Sequence, residues 1–262
     1  MRFPAVFVGH GSPMNAIEDS AFRRAWTELG RALPRPEAIL CVSAHWETKG
    51  VFLTGAEAPP TIHDFYGFPR ELFAVRYPAP GQPALARRVA SMLGGVGAAV
   101  DPERGLDHGS WSVLVAMYPE ADVPVVQLSL DSRQPGPFHY ALAKGLRPLR
   151  DDGVLILGSG NLVHNLRLVD FGRDGGYDWA VRFDALVRER IAAGDHEALA
   201  AWDDLGLDAR LSIPTPEHYL PLLYTLGVQQ PGDALRLFNT ATVLGSISMT
   251  SVLIGSIAEA RG

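Results

Sequence analysis

The residues of this 262-residue chain best suited to chemistry at neutral pH are its eight histidines. Imidazole binds transition metals and exchanges protons close to neutrality. Three of the histidines come just after short apolar runs that have the length and branched content of strands. They are His10 after Phe3–Val8, His45 after Ala38–Ser43 and His164 after Val154–Leu157. Ligands of open α/β sheets bind at the carboxyl ends of strands, so we expect these three rings to converge on a site that holds a metal or moves protons.

Two further segments place residues that could bind a metal or transfer protons in turns before predicted helices. His108 lies in a glycine-containing turn before a predicted helix, and the Pro-Thr-Pro lead-in to Glu217 and His218 predicts the first turn of another. Neighbours on a helix point about 100° apart, so only one of Glu217 and His218 is expected to face a metal. The carboxylate would complete the two-His-one-carboxylate set of Fe(II) sites, and the histidine would give an all-imidazole site that also suits zinc. A third interpretation is that Glu217 only complements the helix dipole.

The remaining histidines carry less weight. His63 lies in an aromatic loop, residues 62–69, which we expect either to cap a pocket or to pack as a surface loop. His139 and His196 lie on or beside amphipathic helices and are expected to be exposed to solvent. Competing motifs are incomplete: Gly158-Ser159-Gly160 has Leu157 where a nucleophile elbow needs glycine, and neither a Walker A sequence nor a strand-linked G-x-G-x-x-G occurs. A serine hydrolase or a nucleotide enzyme is therefore disfavoured.

The charge balance and the cysteine content narrow the classes of partner and site. Lys and Arg total 23 against 29 Asp and Glu, a net charge of -6, and no basic run interleaved with aromatic residues is present. Nucleic acid and anionic membrane surfaces are therefore not expected as partners. The single cysteine, Cys41, excludes an intramolecular disulfide and any Cys-rich metal site, which favours a cytoplasmic location. A metal would have to be held by histidines and carboxylates.

One segment is long and uncharged enough to require a check for a membrane span. Leu237–Ala258 has 22 residues, but eight of them are Ser, Thr or Asn and two are Gly. This polarity favours a buried strand pair or a packed loop over a membrane span. The apolar run at the N-terminus is too short for a signal peptide and is predicted to be a strand.

Strand-like runs alternate with helical periodicity along the whole chain. The predicted strands are Phe3–Val8, Ala38–Ser43, Val51–Thr54, Val96–Val100, Val123–Leu130, Val154–Leu157 and Leu235–Phe238. The predicted helices are Ser20–Leu33, Ala84–Leu93, Trp111–Met117, Phe138–Leu149, Trp179–Ala193 and Asp195–Trp202. This alternation predicts an α/β fold, a central mixed β-sheet flanked by helices, with residues 1–262 as a single domain.

Five segments in this order resemble the class III extradiol ring-cleavage dioxygenases, in particular their bacterial 4,5-DOPA-dioxygenase-like branch. They are residues 9–15 (GHGSPMN), 43–46 (SAHW), 106–111 (LDHGSW), 158–167 (GSGNLVHNLR) and 214–221 (PTPEHYLP). The resemblance runs from residue 5 to the Ser246–Met249 segment, which is almost the whole chain.

The resemblance implies a mononuclear metal site and roles for individual residues. His10 and His45 match metal ligands, and His218 occupies the position of a further ligand in this branch, whereas the wider superfamily uses a late glutamate; His218 is therefore preferred over Glu217. His164 matches the acid/base histidine and is a candidate further ligand. His108 matches a histidine beside the oxygen and substrate pocket. Aromatic walls are expected from Trp46, Trp111, Phe65 and Tyr66.

The function that the resemblance implies is metal-dependent insertion of both atoms of O2 into a small catechol, DOPA-like or related, to give a ring-opened muconic semialdehyde. Fe(II) is expected for activity, and Zn(II) is an alternative occupant of an imidazole site. The plant betalain enzymes carry proline just after the histidine that matches His164, and this chain has Asn165 there, so DOPA itself is not assumed. Two alternatives are a zinc-dependent hydrolase and a non-catalytic protein that binds a metal or an aromatic ligand on the same fold. The sequence indicates no oligomeric state.

Overall fold

The central sheet forms from short apolar runs, since residues on both of its faces are buried. The computed structural model describes residues 2–257, and its main sheet has eight strands. These are β1 (Ala5–Gly9), β2 (Ala38–Thr48), β3 (Phe52–Thr54), β4 (Ala99–Asp101), β5 (Val125–Asp131), β6 (Val154–Gly160), β7 (Leu235–Phe238) and β10 (Ser251–Ile254). Two short strands, β8 (Thr242–Val243) and β9 (Ile247–Ser248), pair separately.

The strand order is β4-β3-β5-β2-β6-β1-β10-β7. The four central strands, β5, β2, β6 and β1, are parallel, whereas β3 pairs antiparallel with β5 and β10 pairs antiparallel with β1. The carboxyl ends of β1, β2 and β6 therefore meet at one edge in the middle of the sheet. This is the edge at which ligands of open α/β sheets bind.

Helices cover both faces of the sheet. They are α1 (Ala21–Ala32), α2 (Arg70–Ala74), α3 (Pro83–Met92), α4 (His108–Met117), α5 (Gly136–Lys144), α6 (Pro148–Asp151), α7 (Asp178–Ala193), α8 (His196–Ala200), α9 (Leu207–Ser212) and α10 (Leu220–Gly227). Alternate residues of each strand enter two separate cores: Phe7 packs on the side of α5, α7 and α10, and Val6 on the side of α1 and α4. Apolar burial on both faces makes this sheet a rigid support for the loops at its edge.

The predicted α/β class with a mixed central sheet is confirmed, and the local differences have physical causes. β2 runs on to Thr48 instead of ending at Ser43, with an irregular register between Val42 and Glu47 against β5. The predicted strand 96–100 is a 3-10 turn followed by β4, because Gly94, Gly95 and Gly97 favour the turn. Helix α4 begins at His108 rather than Trp111, since the Asp107 side chain caps it.

The uncharged segment near the C-terminus folds within the sheet layer. Its residues 237–257 contain the end of β7, the β8–β9 pair and β10, and Ala258 lies outside the described residues. Within residues 2–257, no helix has the length and apolarity needed to cross a membrane. Of the predicted domain 1–262, residue 1 and residues 258–262 are likewise outside the described part.

A buried ion pair ties three distant parts of the chain together beside β1. The Arg150 side chain is fully buried, and its Nη1 lies 2.6 Å from Asp233 Oδ2. Its guanidinium also donates to the carbonyl oxygens of Phe3, at 2.7 Å, and Val228, at 2.8 Å. Burial opposes ionisation of Asp233, but hydrogen bonds, chiefly from Arg150, hold the pKa of this carboxyl below its usual value. Removing the carboxylate would leave a buried cation unpaired.

We therefore expect Asp233→Ala to lower the free energy of unfolding by about 3–5 kcal/mol, measured by urea denaturation at neutral pH. The pair stabilises the fold fully above the pKa of an unfolded aspartate and loses this effect as the pH falls through the depressed native pKa, so the difference between the two proteins should shrink in acid. Asp19→Ala is the control, since its pair with Arg24 is exposed to solvent, and it should cost less than about 1 kcal/mol. Equal losses in the two variants would contradict this account.

Candidate metal centre

Three histidines from distant parts of the chain meet at the carboxyl edge of the sheet. His10 directly follows β1, His45 lies in the final part of β2, and His218 lies in the turn before α10. Their ring centroids are 5.2 Å (His10–His45), 5.3 Å (His10–His218) and 5.0 Å (His45–His218) apart. One ring nitrogen from each lies within 4.8 Å of the others. The three imidazoles thus form a nearly equilateral group.

The close approach of backbone segments brings these rings together. Gly11, with φ of 58°, turns the chain sharply after His10, and the His10 main-chain N–H donates to the Gly160 carbonyl at 2.9 Å. A Cβ on Gly160 would collide with the His218 carbonyl, and the next residue, Asn161, donates its main-chain N–H to that same oxygen at 2.8 Å. The glycine at 160 therefore lets the turn that carries His218 lie directly on the end of β6.

The His10 ring is held in one tautomer by a serine. Its Nδ1 lies 3.0 Å from Ser159 Oγ, and the Ser159 hydroxyl donates to the Gly109 carbonyl. With its hydrogen committed there, Ser159 Oγ must accept from His10 Nδ1–H. The lone pair of His10 is therefore on Nε2, on the side that faces His45.

The turn before α10 decides which of Glu217 and His218 faces the other histidines. His218 is buried beside His10 and His45, and its Nδ1 donates to Glu217 Oε1 at 2.9 Å. The Thr215 hydroxyl donates to the same carboxylate oxygen at 3.0 Å. Glu217 thus lies behind His218, where it fixes the ring and leaves its Nε2 free. The Pro-Thr-Pro stretch forms this turn, and the predicted helix begins only at Leu220.

His45 shares an aspartate with His108. Asp64 Oδ1 accepts a hydrogen bond from the His108 main-chain N–H at 2.9 Å and lies 3.1 Å from His108 Nδ1. Asp64 Oδ2 lies 3.6 Å from His45 Nδ1, an ion-pair distance. Burial opposes ionisation of Asp64, but contacts with His108 and the charge of His45 lower its pKa to about 2, so the group is a carboxylate at neutral pH.

The donor set fits a metal ion. His10 Nε2 and His45 Nε2 are 3.3 Å apart, and when each ring carries its hydrogen on Nδ1 the two lone pairs face each other. Two such lone pairs repel unless a metal ion, or a hydrogen carried by one of the nitrogens, lies between them. Two nitrogens bound tetrahedrally to Zn(II) at about 2.0–2.1 Å would be about 3.3 Å apart, which matches the observed separation.

Electrostatics keep these rings neutral, as metal ligation requires. Burial, and next the neighbouring histidines, hold the pKa of His10 and of His218 well below the usual value. Burial, followed by the charge of His108, lowers the pKa of His45 to about 4.

The other two histidines named by the resemblance lie against this group. The His164 ring stacks on His218 with a centroid distance of 3.4 Å and an interplanar angle of 10°. One of its ring nitrogens lies within 4.8 Å of one donor atom each of Glu217 and His218, in a set separate from that of His10 and His45. The His108 ring lies 3.8 Å from that of His45 and is buried.

A buried network of hydrogen bonds at the start of α4 connects Asp107 to the backbone of His45. The Asp107 carboxylate is fully buried and accepts from Ser43 Oγ at 2.7 Å and Gln127 Nε2 at 2.7 Å. Ser43 Oγ also accepts the main-chain N–H of His45 at 3.2 Å. The motif residues were visible in the sequence, but the roles of Ser159, Asp107 and Asp64 were not, because none follows from spacing. The cap position of Asp107 was the one available signal.

Several sequence expectations about side chains are wrong. His139 and His196 are buried rather than exposed, because their Nδ1 atoms contact the hydroxyl groups of Tyr224 and Tyr140 in the core. Tyr66 is 92% exposed and forms no wall.

Phe65 of the aromatic loop, in contrast, packs edge-on against His108 with a ring-centroid distance of 5.5 Å. Trp111 is buried under this loop, where its Nε1–H donates to the Ile62 carbonyl at 2.7 Å. The aromatic loop that contains His63 therefore packs against the histidine group through Phe65.

Comparison with known proteins agrees with this geometry. Residues 4–244 match the family model described as the catalytic LigB subunit of aromatic ring-opening dioxygenase. The chain belongs to this family. It is a class III extradiol dioxygenase, an oxidoreductase, as the resemblance predicted. The family implies a metal cofactor, and the histidine group is the candidate site for it.

Individual relatives extend the match over nearly the full length. The chain is 48% identical to the 4,5-DOPA dioxygenase extradiol of Escherichia coli (strain K12), over 97% of this chain and 95% of that protein. It is 39% identical to the 4,5-DOPA dioxygenase extradiol of Beta vulgaris, over 94% of each chain. The crystal structure of an uncharacterized protein from Escherichia coli K12 aligns with a TM-score of 0.83 at 43% identity, covering 97% of this chain and 100% of that one.

The packing at Gly109 yields a test of how tightly the centre is built. A Cβ at this position would collide with Ser43 Oγ and lie 2.8 Å from His45 Cδ2. We expect Gly109→Ala to displace His45 and weaken Zn(II) binding about tenfold or more, measured by competition with a chromophoric chelator. Gly95→Ala is the matched control, since its Cβ would meet nothing within 4 Å. Unchanged affinity in Gly109→Ala would mean that His45 is not held by this contact.

Proposed function

We propose that the chain is a metal-dependent extradiol dioxygenase that inserts both atoms of O2 into a small catechol, DOPA-like or related, and releases a ring-opened muconic semialdehyde. The observation that carries the proposal is the close approach of His10 Nε2 and His45 Nε2, at 3.3 Å, with His218 completing the group of three histidines. Family membership supports the reaction type, and the names of the relatives support a catechol as substrate.

We assign His10, His45 and His218 as the metal ligands, each through Nε2. When bound there, Fe(II) supplies positive charge that favours an ionised catechol and the redox chemistry that activates O2. An ion held by these three residues would keep positions open for both substrate and oxidant. Zn(II) would fit the same nitrogens without supplying redox chemistry.

His164 is assigned as the group that takes the catechol proton. Burial, followed by the charges of His45 and His108, lowers its pKa to about 3, so the ring is neutral and able to accept a proton. A catechol oxyanion beside it would raise that pKa towards neutrality and favour the transfer. The face-to-face stack on His218 fixes the plane of the ring, and this supports a proton-transfer role over ligation.

His108 and the aromatic loop line the proposed substrate pocket on the side of His45. The buried His108 ring lies between His45 and Phe65 and is held from behind by Asp64. An imidazole there can donate to or accept from an oxygen atom of the substrate or of O2. Phe65 offers an apolar edge suited to a flat aromatic ring, and it helps to exclude water.

Oxygen uptake tests the proposed reaction. Metal-stripped protein would be reconstituted anaerobically with Fe(II) or Zn(II) and then given a panel of catechols in aerated buffer, with O2 consumption and visible absorbance followed together. We expect Fe(II)-dependent consumption of one O2 per catechol, with the yellow colour of a semialdehyde. Turnover without O2 consumption would favour the zinc hydrolase, and metal or ligand binding without turnover would favour the binding protein.

Substitution at His164 tests the assignment of the proton-transfer group. We expect His164→Gln to lose ring cleavage by about 100-fold or more while it keeps most of its bound metal, because the amide cannot serve as the base. His10→Ala is the comparison and should lose metal and activity together. If metal content fell as far in His164→Gln as in His10→Ala, His164 would be a ligand and the assignment would be wrong.

A further inference from the structure

Asp64 is the charged side chain of the aromatic loop that contacts the histidine group, beside the apolar contact made by Phe65. The aromatic loop and the short helix α2 that follows it close on themselves where His63 Nε2 contacts the Val75 carbonyl at 3.0 Å, and the loop packs through Phe65 on Trp111. Asp64 points inward from this loop, and its side chain is 23% exposed. Within the described residues, no other carboxylate joins the donor set of His45 and His108.

The two oxygens of Asp64 have different partners. Oδ1 accepts the main-chain N–H of His108 at 2.9 Å, a bond that requires an acceptor because that N–H begins α4 and has no partner within the helix. Oδ2 faces His45 Nδ1 at 3.6 Å. A shift of about half an ångström would turn this contact into a hydrogen bond.

We propose that Asp64 is a positioning residue that fixes the tautomer of His45, and so directs the His45 Nε2 lone pair to the metal, while its other oxygen anchors the start of α4. The carboxylate attracts the hydrogen of His45 to Nδ1 and leaves Nε2 bare towards His10. This assignment rests on the proposed metal site. It also makes the aromatic loop part of the metal centre rather than only a cover for the substrate.

Because the two oxygens of Asp64 have different partners, Asp64→Asn and Asp64→Ala should have different effects on metal binding and on stability. In Asp64→Asn the amide oxygen must keep the Oδ1 position, because the His108 N–H needs an acceptor, so the NH2 group would face His45 Nδ1. That donor would favour the hydrogen of His45 on Nε2, where it blocks ligation. The same wrong tautomer forms when asparagine replaces the aspartate of a catalytic triad, where it removes the general base instead. In Asp64→Ala the ring is free to choose either tautomer, but the bond to the His108 N–H is lost.

The test measures metal affinity and stability separately on the full chain. Co(II) and Zn(II) affinities would be obtained by chelator competition, the visible Co(II) spectrum would report the ligand set, and thermal midpoints would be measured on metal-free protein. We expect Asp64→Asn to lose affinity by about 10–100-fold with an altered Co(II) spectrum, and Asp64→Ala to lose less. We expect the opposite order for the metal-free midpoints, with Asp64→Asn close to the parent protein and Asp64→Ala lower.

This crossed order distinguishes tautomer control from simple support of the loop. If Asp64 only supported the loop, Asp64→Ala would have both the lower metal affinity and the lower thermal midpoint of the two variants, and that result would overturn the proposal. Asp64→Asn with the same metal affinity as the parent protein would also overturn it. Tyr66→Ala is the control within the same loop, since that side chain is almost fully exposed, and it should leave affinity and midpoint unchanged. If the parent chain bound neither metal, the proposed metal site itself would fail, an outcome separate from failure of the Asp64 assignment alone.

Discussion

A neutral imidazole can offer a lone pair to a metal on one nitrogen only if its hydrogen is held on the other. This constraint organises the centre. His10 and His45 face each other through Nε2 at 3.3 Å, and a metal can bind both nitrogens only when both hydrogens are directed away from it. Ser159, which contacts His10 Nδ1, comes from a strand, and Asp64, which faces His45 Nδ1 at 3.6 Å, comes from a loop, so the centre depends on the relative position of elements far apart in sequence.

The first residues of α4 and its cap contact the side chains that surround His10 and His45. The Gly109 carbonyl takes the Ser159 hydrogen that would otherwise point at His10, and the His108 main-chain N–H binds Asp64. Asp107 caps the same helix and holds Ser43, which in turn binds the backbone of His45. A displacement of this helix end would therefore disturb several histidines together. Its fixed position follows from the burial of Trp111 and Leu114 against the sheet.

The sequence was sufficient to predict the fold class and to identify the histidines that meet at the edge of the sheet. It was insufficient to identify the side chains that contact and orient these histidines. Strand-length apolar runs ending at His10 and before His164 predicted the edge of the sheet, since hydrophobic periodicity is a local signal. The continuation of β2 through His45 was missed, because an irregular register has no such signal. Glu217 and His218 could not be ranked from their spacing, since that depended on a turn packed against Gly160. Asp64 and Ser159 act through tertiary contacts, and the burial of His139 and His196 depended on tyrosine partners from other helices.

The same arrangement links metal binding to the stability of the fold. Burial of several imidazoles costs free energy in the folded chain, and apolar burial in the two cores on either side of the sheet offsets this cost. A cation that binds the folded chain and not the unfolded one stabilises it by RT ln(1 + [L]/Kd), about 4 kcal/mol at a thousandfold excess over Kd. At the proposed metal site, residues that direct the imidazole hydrogens away from the ion would therefore contribute twice, to the affinity for the metal and, through that affinity, to the stability of the folded chain.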